Sequence, residues 1–258
     1  MVWFVDSKDI RIRDIELADS PFWTCFILNC ERVWIDGCYI HTQKKDYYTY
    51  NGDGIDIDRS RYVTISNCRI DTSDDCITLR ASGAERLQNP QDCAYVTVTN
   101  CNISTKCNAI RLGVGEGHIH DAVFSNITIS NTTTAFNIVS SYVEGCRGTD
   151  IDGILFRNIR VQAHDFLRIH HMRSKDSTIK DITFDGISGT ASRDSRLWAR
   201  KAAPFQNIVF RNVDVPALLE CVHADVKVEG GLLRKKELSA EETKAIEDKI
   251  EKETMLLH

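Results

Sequence analysis

The residues best suited to chemistry are three aspartates in two related stretches, Tyr50-Asn-Gly-Asp-Gly-Ile-Asp-Ile-Asp58 and Thr72-Ser-Asp-Asp-Cys-Ile-Thr-Leu-Arg80. Each stretch reads as a tight polar turn running into a short strand. Asn51-Gly52-Asp53-Gly54 is the first turn, because Asn and Gly tolerate the backbone angles that turns need. Ile55 and Ile57 then alternate with Asp56 and Asp58, a period of two. Ser73-Asp74-Asp75 forms the second turn, and Ile77 and Leu79 alternate with Thr78 and Arg80. Aligned by their strands, the two stretches put Asp75 in one column with Asp53, and Asp74 beside them. Strands that neighbour each other in a parallel sheet lie ~4.8 Å apart. Like charges at that separation cannot all ionise normally, so at least one carboxyl is expected to hold its proton, as acid/base chemistry requires. No cation stands beside the Asp74-Asp75 pair in the sequence to offset the repulsion.

What must position these turns is a repeat. The unit apolar-x-apolar-x-[Asn/Gly/Asp] recurs with anchors at Asp14, Gly37, Asn67, Asn100, Asn126, Asn158, Gly186 and Asn212, spaced 23 to 33 residues apart. Irregular periods of this length, with strand alternation and no helical periodicity before residue 236, predict an all-β chain. The fold expected is a single right-handed parallel β-helix of about eight coils over residues 1–235. A short C-terminal helical tail follows over 236–258. In such a fold the anchor Asn bonds its own backbone and its neighbours in adjacent coils. Ile35, Ile65, Val98 and Phe124 would stack in one core column. Most of the ten cysteines are expected to be reduced and buried: Cys38, Cys68 and Cys101 share a column, as do Cys30 and Cys93. Ser239-Ala-Glu-Glu242 is a capping box that opens a helix running to about Leu256, with Ala245, Ile246 and Ile250 on its apolar side. The repeat begins at once at Met1-Val-Trp-Phe-Val5, without a cap, which suggests a truncated chain or a subunit covering that edge. Homo-oligomerisation through that edge or through the helix is therefore an expectation.

Strand parity places Asp56, Thr78, Arg111, Asn137 and Arg168 in one outward-facing column, with His170 also outward. A polar row on a solenoid face suits an extended polymer. Other groups read as ordinary surface. Arg11, Arg13, Lys44 and Lys45 are scattered solvated charges. His118 and His120 are expected to lie in a glycine-rich loop, with no third metal ligand at useful spacing. Gly113-Val-Gly-Glu-Gly117 is not followed by a helix, which argues against a nucleotide site. With 258 residues, 42% hydrophobic and 27% charged, the chain is globular, and its net charge of −5 argues against nucleic-acid or anionic-membrane partners. No signal peptide or apolar span of transmembrane length is present. The chain as given is thus expected in the cytoplasm, or outside it if a preceding segment is missing.

From about Lys8 to Asn212 the chain resembles the polygalacturonases, glycoside hydrolase family 28. The motif Asn-x-Asp-Gly stands at Asn51-Gly52-Asp53-Gly54, and the Asp-Asp motif at Asp74-Asp75. The Arg-Ile-Lys motif is represented by Arg168-Ile169-His170, and Gly-His-Gly falls at Cys107-Asn108-Ala109. The resemblance implies hydrolysis of a pectin-like or other acidic poly- or oligosaccharide with inversion, without metal or cofactor. By position Asp74 would be the general acid, and Asp53 with Asp75 would hold the water. Asn51, Asn108, Arg111, Arg168 and His170 would meet the substrate. Two departures, Asn108 for His and His170 for Lys, bear on which sugar is bound. Two alternatives carry different predictions. A calcium-dependent lyase would use the carboxylates as calcium ligands and an Arg as base. A non-catalytic carbohydrate-binding β-helix would bind without releasing product.

Overall fold

The computed structural model describes residues 1–42, 50–82, 84–141, 147–171 and 177–255; Lys44, Lys45, Cys146 and Leu256 lie outside the described residues. The chain is a right-handed parallel β-helix. Every pairing between its named strands is parallel, and each strand pairs with a strand one coil away. One wall begins with Val2–Val5, Cys25–Leu28, Ile55–Asp58, Ile77–Ala81 and Asn108–Gly115. It continues through the last residues of His118–Val139 and Asp150–His170 to Ser195–Trp198, Leu218–Val222 and Arg234–Lys235.

The second wall carries the repeat read from the sequence, with one correction. Its ladder is Lys8–Arg13, Glu31–Asp36, Arg61–Ser66, Cys93–Thr99, His118–Val139, Asp150–His170, Lys180–Arg193, Phe205–Val213 and Ala224–Gly231. The last strand is one rung beyond the eight anchors. Val226-Lys-Val-Glu-Gly230 repeats the unit, with Val228 paired to Phe210. All eight predicted anchors have positive φ, from 50° at Asn212 to 65° at Gly37, and Gly230 continues them at 74°. This explains the residue types: a left-handed corner is open to Gly and tolerated by Asn and Asp, while a branched side chain would clash. Some anchors also bond between coils, as Asn158 Nδ2 does to Asn126 Oδ1 at 2.7 Å.

Inside, Ile12, Ile35, Ile65, Val98, Phe124, Phe156, Phe184 and Phe210 form one continuous column. The rings stack at 4.7–5.0 Å between centroids. Each fully buried ring contributes on the order of 1.5–3 kcal/mol. None of the nine described cysteines is paired in a disulfide, and seven are buried. Burial pushes the Cys25, Cys30 and Cys93 thiols up, so they act as small apolar fillers.

The helix spans Ala240–Met255. Its capping box forms in both directions: Ser239 N–H donates to Glu242 Oε2 at 2.8 Å, and Glu242 N–H to Ser239 Oγ at 3.1 Å. The expected apolar side is corrected at one position. Ile250 is buried and Ile246 half-buried, but Ala245 is exposed. Polar contacts to the last coils complete the docking: Glu247 meets His223 at 2.7 Å, and Lys249 lies 5.0 Å from the Trp198 ring centre.

Candidate active site

The first wall presents one outward column in register: Trp3, Phe26, Asp56, Thr78, Arg111, Asn137, Arg168, Arg196 and Glu220. The predicted column from Asp56 to Arg168 is therefore present. At the entry to this wall, Gly54 N–H donates to the Asp75 carbonyl at 2.8 Å, which puts Asp53 and Asp75 on adjacent coils. Gly54 is required here because a Cβ would lie 2.5 Å from the Cys76 carbonyl oxygen.

Each of the three aspartates has a distinct environment. Asp75 is 2% exposed. Its Oδ1 accepts from Asn108 Nδ2 at 2.6 Å, and its Oδ2 lies 2.7 Å from Arg111 Nε. The cation that the local sequence lacks thus arrives from the next coil. Asp74 is only half-buried. Its oxygens accept from the main-chain N–H groups of Asp75, at 3.0 Å, and Asn51, at 3.1 Å. Asn51 meets the cluster through its backbone, while its side chain is exposed. Thr72 Oγ1 fixes the turn by donating to the Asp74 carbonyl at 2.6 Å. Asp53 is 3% exposed. Burial, then the nearby carboxylates of Asp56, Asp75 and Asp74, push it up to about 9.

Asp56 is the site residue whose chemistry sequence parity understated. It points away from the core, as expected, yet it is fully buried. Neither of its oxygens has a hydrogen-bond partner among the described residues. Arg80 closes over it, with Nη1 3.6 Å from Oδ1, and the Arg80 guanidinium in turn lies 4.4 Å from the Trp23 ring centre. Burial pushes Asp56 up to about 7, against the opposing pull of Arg80 and Arg111. The sequence expectation placed the raised carboxyl at Asp74; here burial raises Asp53 and Asp56. Asp56 and Arg80 could have been singled out by one signal: both face outward beside the acidic turn in strands that pair.

Asn108 is 8% exposed, and its amide is committed to Asp75 and, at 3.3 Å, to Cys107 Sγ. It supports the acid cluster from within. Asp74, Asp75 and Cys107 bring potential ligand atoms within 4.8 Å of one another. Burial and the two carboxylates hold the Cys107 thiol protonated. Calcium takes oxygen ligands, so this donor set does not suit it.

Further along the same face the charge reverses. Arg168 Nη2 lies 2.5 Å from Asp165 Oδ2, and Arg193 Nη1 is 3.6 Å from the same oxygen. Asp165 is 1% exposed and continues the column of Asp75 and Asn108 through Thr134. It was not singled out in the sequence because nothing in Gln162-Ala-His-Asp-Phe166 forms a motif. Arg196 pairs in register with Arg168 and sits 5.1 Å over the Trp198 ring. His170 is half-buried; burial and then Arg168 lower it to about 3, so it is neutral near pH 7.

Fold and site together define a class: a parallel β-helix with a carboxylate cluster on the outer face of one wall, beside a row of guanidinium groups. The family model of glycosyl hydrolases family 28 matches residues 1–227. The chain belongs to that family. A probable polygalacturonase of Arabidopsis thaliana is 23% identical over 225 residues, covering 82% of this chain and 48% of that protein. A polygalacturonase of Juniperus ashei is 24% identical over 212 residues, 80% of this chain and 41% of that protein. The chain thus spans about half the length of the curated relatives it matches. Among solved structures, a hyperthermoactive exopolygalacturonase from Thermotoga maritima superposes with a TM-score of 0.74 at 17% identity, over 88% of this chain and 53% of that one. An endo-xylogalacturonan hydrolase from Aspergillus tubingensis gives 0.69 at 18% identity, over 89% and 68%. These likenesses establish the shared fold.

Proposed function

We propose that the protein hydrolyses glycosidic bonds of an acidic polysaccharide of the pectin class by an inverting mechanism. The observation that carries this reading is the grouping of Asp53, Asp56, Asp74 and Asp75 against two guanidinium groups, Arg80 and Arg111. Four carboxyls face two cations, and burial pushes Asp53 and Asp56 up, which favours a stored proton on this pair. A glycosidase needs one protonated carboxyl at the leaving oxygen and one carboxylate at the attacking water. Asp74 is the member exposed enough to reach a leaving oxygen. Asp53 stores the proton in the resting site and passes it to Asp74 when the sugar excludes water. Asp74 then protonates the leaving oxygen, and the water's proton returns to the Asp53/Asp75 pair. One water is consumed, and the site ends in its starting protonation state.

The basic end supports an acidic substrate. Arg168 and Arg196 can hold a sugar carboxylate through charge-assisted hydrogen bonds. His170 orients without adding charge. This reading is supported by family membership and by the polygalacturonase names of its relatives. The test is a product screen on polygalacturonate, xylogalacturonan, rhamnogalacturonan and fructan, with nuclear magnetic resonance of the first anomer released. The expected result is a new reducing end of inverted configuration from an acidic glycan. Ultraviolet-absorbing unsaturated ends would establish a lyase instead, and saturable binding without product a binding module.

A further inference from the structure

We propose a second site: a divalent transition-metal site on the second wall, built from Asp92, His118 and His120. It lies apart from the acidic cluster. Asn108, at the cluster, opens the strand Asn108–Gly115, and His118 lies beyond its far end, so roughly 25 Å of extended chain at ~3.3 Å per residue separates them. The two histidines occupy alternate positions of one strand, so both side chains stand on one face. Their rings lie 4.4 Å apart between centroids. Asp92 immediately precedes the strand of the coil before, whose Ala94 pairs with His120. One ligand atom from each of the three residues falls within 4.8 Å of the others. Asp92 stands 26 residues before His118, which concealed this; coil stacking supplies the third ligand that the local spacing lacks.

The arrangement of the ring nitrogens points to a metal. His118 Nε2 bonds Asp152 Oδ2 at 2.6 Å, and His120 Nδ1 bonds Asp121 Oδ2 at 2.8 Å. Each imidazole therefore has one nitrogen fixed by a carboxylate and presents the other. Such backing by a carboxylate is the usual second partner of a metal-bound histidine. His120 Nε2 is turned toward Asp92, 3.8 Å from its Oδ2. Asp92, Asp121 and Asp152 surround the pair, and Arg61 Nη2 lies 3.1 Å from Asp92 Oδ2. Two imidazole nitrogens and one carboxylate oxygen suit Zn²⁺, Ni²⁺ or Cu²⁺ over Mg²⁺ or Ca²⁺. A tetrahedral ion with bonds of about 2.0–2.1 Å needs ligand atoms ~3.4 Å apart. Small side-chain rotations reach that separation, since all three residues are only half-buried. Bound there, the ion would tie three successive coils, those of Asp92, His118 and Asp152.

Calorimetric titration of the chelator-treated protein with Zn²⁺, run on the wild type, His118→Gln, His120→Gln and Cys107→Ser, tests the site. The expected result is one equivalent bound by the wild type and by Cys107→Ser, with affinity at least about tenfold weaker in either histidine variant. Circular dichroism of the metal-free variants should match the wild type, since the imidazoles are partly exposed. Cu²⁺ in the wild type should show nitrogen coupling in its electron paramagnetic resonance spectrum, lost in the double variant. Absence of stoichiometric binding by the wild type would overturn the proposal. So would binding unchanged in the histidine variants, and so would binding lost in Cys107→Ser alone, which would move the ion to the acidic cluster.

Discussion

The two ends of the outer face of the first wall are built on the same columns and have opposite electrostatics. At the acidic end, Asp53, Asp75 and Asn108 occupy a column whose carboxyls crowd one another, and burial pushes Asp53 and Asp56 up. Two coils beyond Asn108, the same column reaches Asp165, buried against Arg168 and Arg193, the latter being its partner on the next coil. A buried carboxyl among carboxyls becomes a proton store. A buried carboxyl between guanidinium groups becomes a brace. The register of a β-helix repeats the geometry, and the neighbours across one coil spacing set the chemistry.

The sharpest way to break this comparison is Asp74→Asn. The amide keeps the shape of the turn but cannot donate an acid proton, so the rate should fall by ~10²–10⁴ while the melting temperature holds or rises slightly. Initial-rate assays with a melting curve check both arms. Full activity in the variant would remove the acid role from the cluster.

Next in size is the pH behaviour of Asp53. Its folded-state value lies above the ordinary 3.8, so the folded chain binds the extra proton. The stability it contributes is complete below about pH 4 and is lost as pH rises toward about 9. Asp53→Asn should therefore melt increasingly above the wild type between pH 5 and pH 9. A shift of about 2–4 °C is expected for each kcal/mol in a chain of this size. Parallel melting curves across that range would mean that Asp53 is not the proton store.

The smallest effect is expected at the basic end. Arg168→Ala should raise KM for an acidic oligosaccharide by about tenfold, the 1.4 kcal/mol scale of one charge-assisted bond, with a lesser change in kcat. Asp165→Asn should raise KM in the same direction, because Arg168 loses the group that aims it. A fall in melting temperature with KM unchanged in Arg168→Ala would make this end structural and dissolve the contrast.

Much of this was legible in local pattern. The anchors at Asp14, Gly37, Asn67, Asn100, Asn126, Asn158, Gly186 and Asn212 betrayed the coils because a left-handed corner restricts residue type at one fixed place. The column from Ile35 to Phe124 and the alignment of Asp53 with Asp75 followed from a strand period of two. The ninth rung was missed because Val226-Lys-Val-Glu-Gly230 abuts the tail and its anchor follows Asn212 by only 18 residues, outside the 23 to 33 of the others.

What the sequence determined by itself is thus everything that depends on spacing along one strand: the repeat, the facing of side chains and the acidic turn. What only the tertiary structure decided depends on contacts across coils. Arg111 reaches Asp75, Arg80 covers Asp56, Asp165 braces Arg168, and Asp92 approaches His120. Those partners stand 24 to 36 residues apart or, within one strand, three apart with a burial that no motif marks. Loop lengths vary from coil to coil, so the partner of a given charge cannot be counted along the chain. Burial, which fixes where the protons sit, is a property of the packed neighbours and not of the residue.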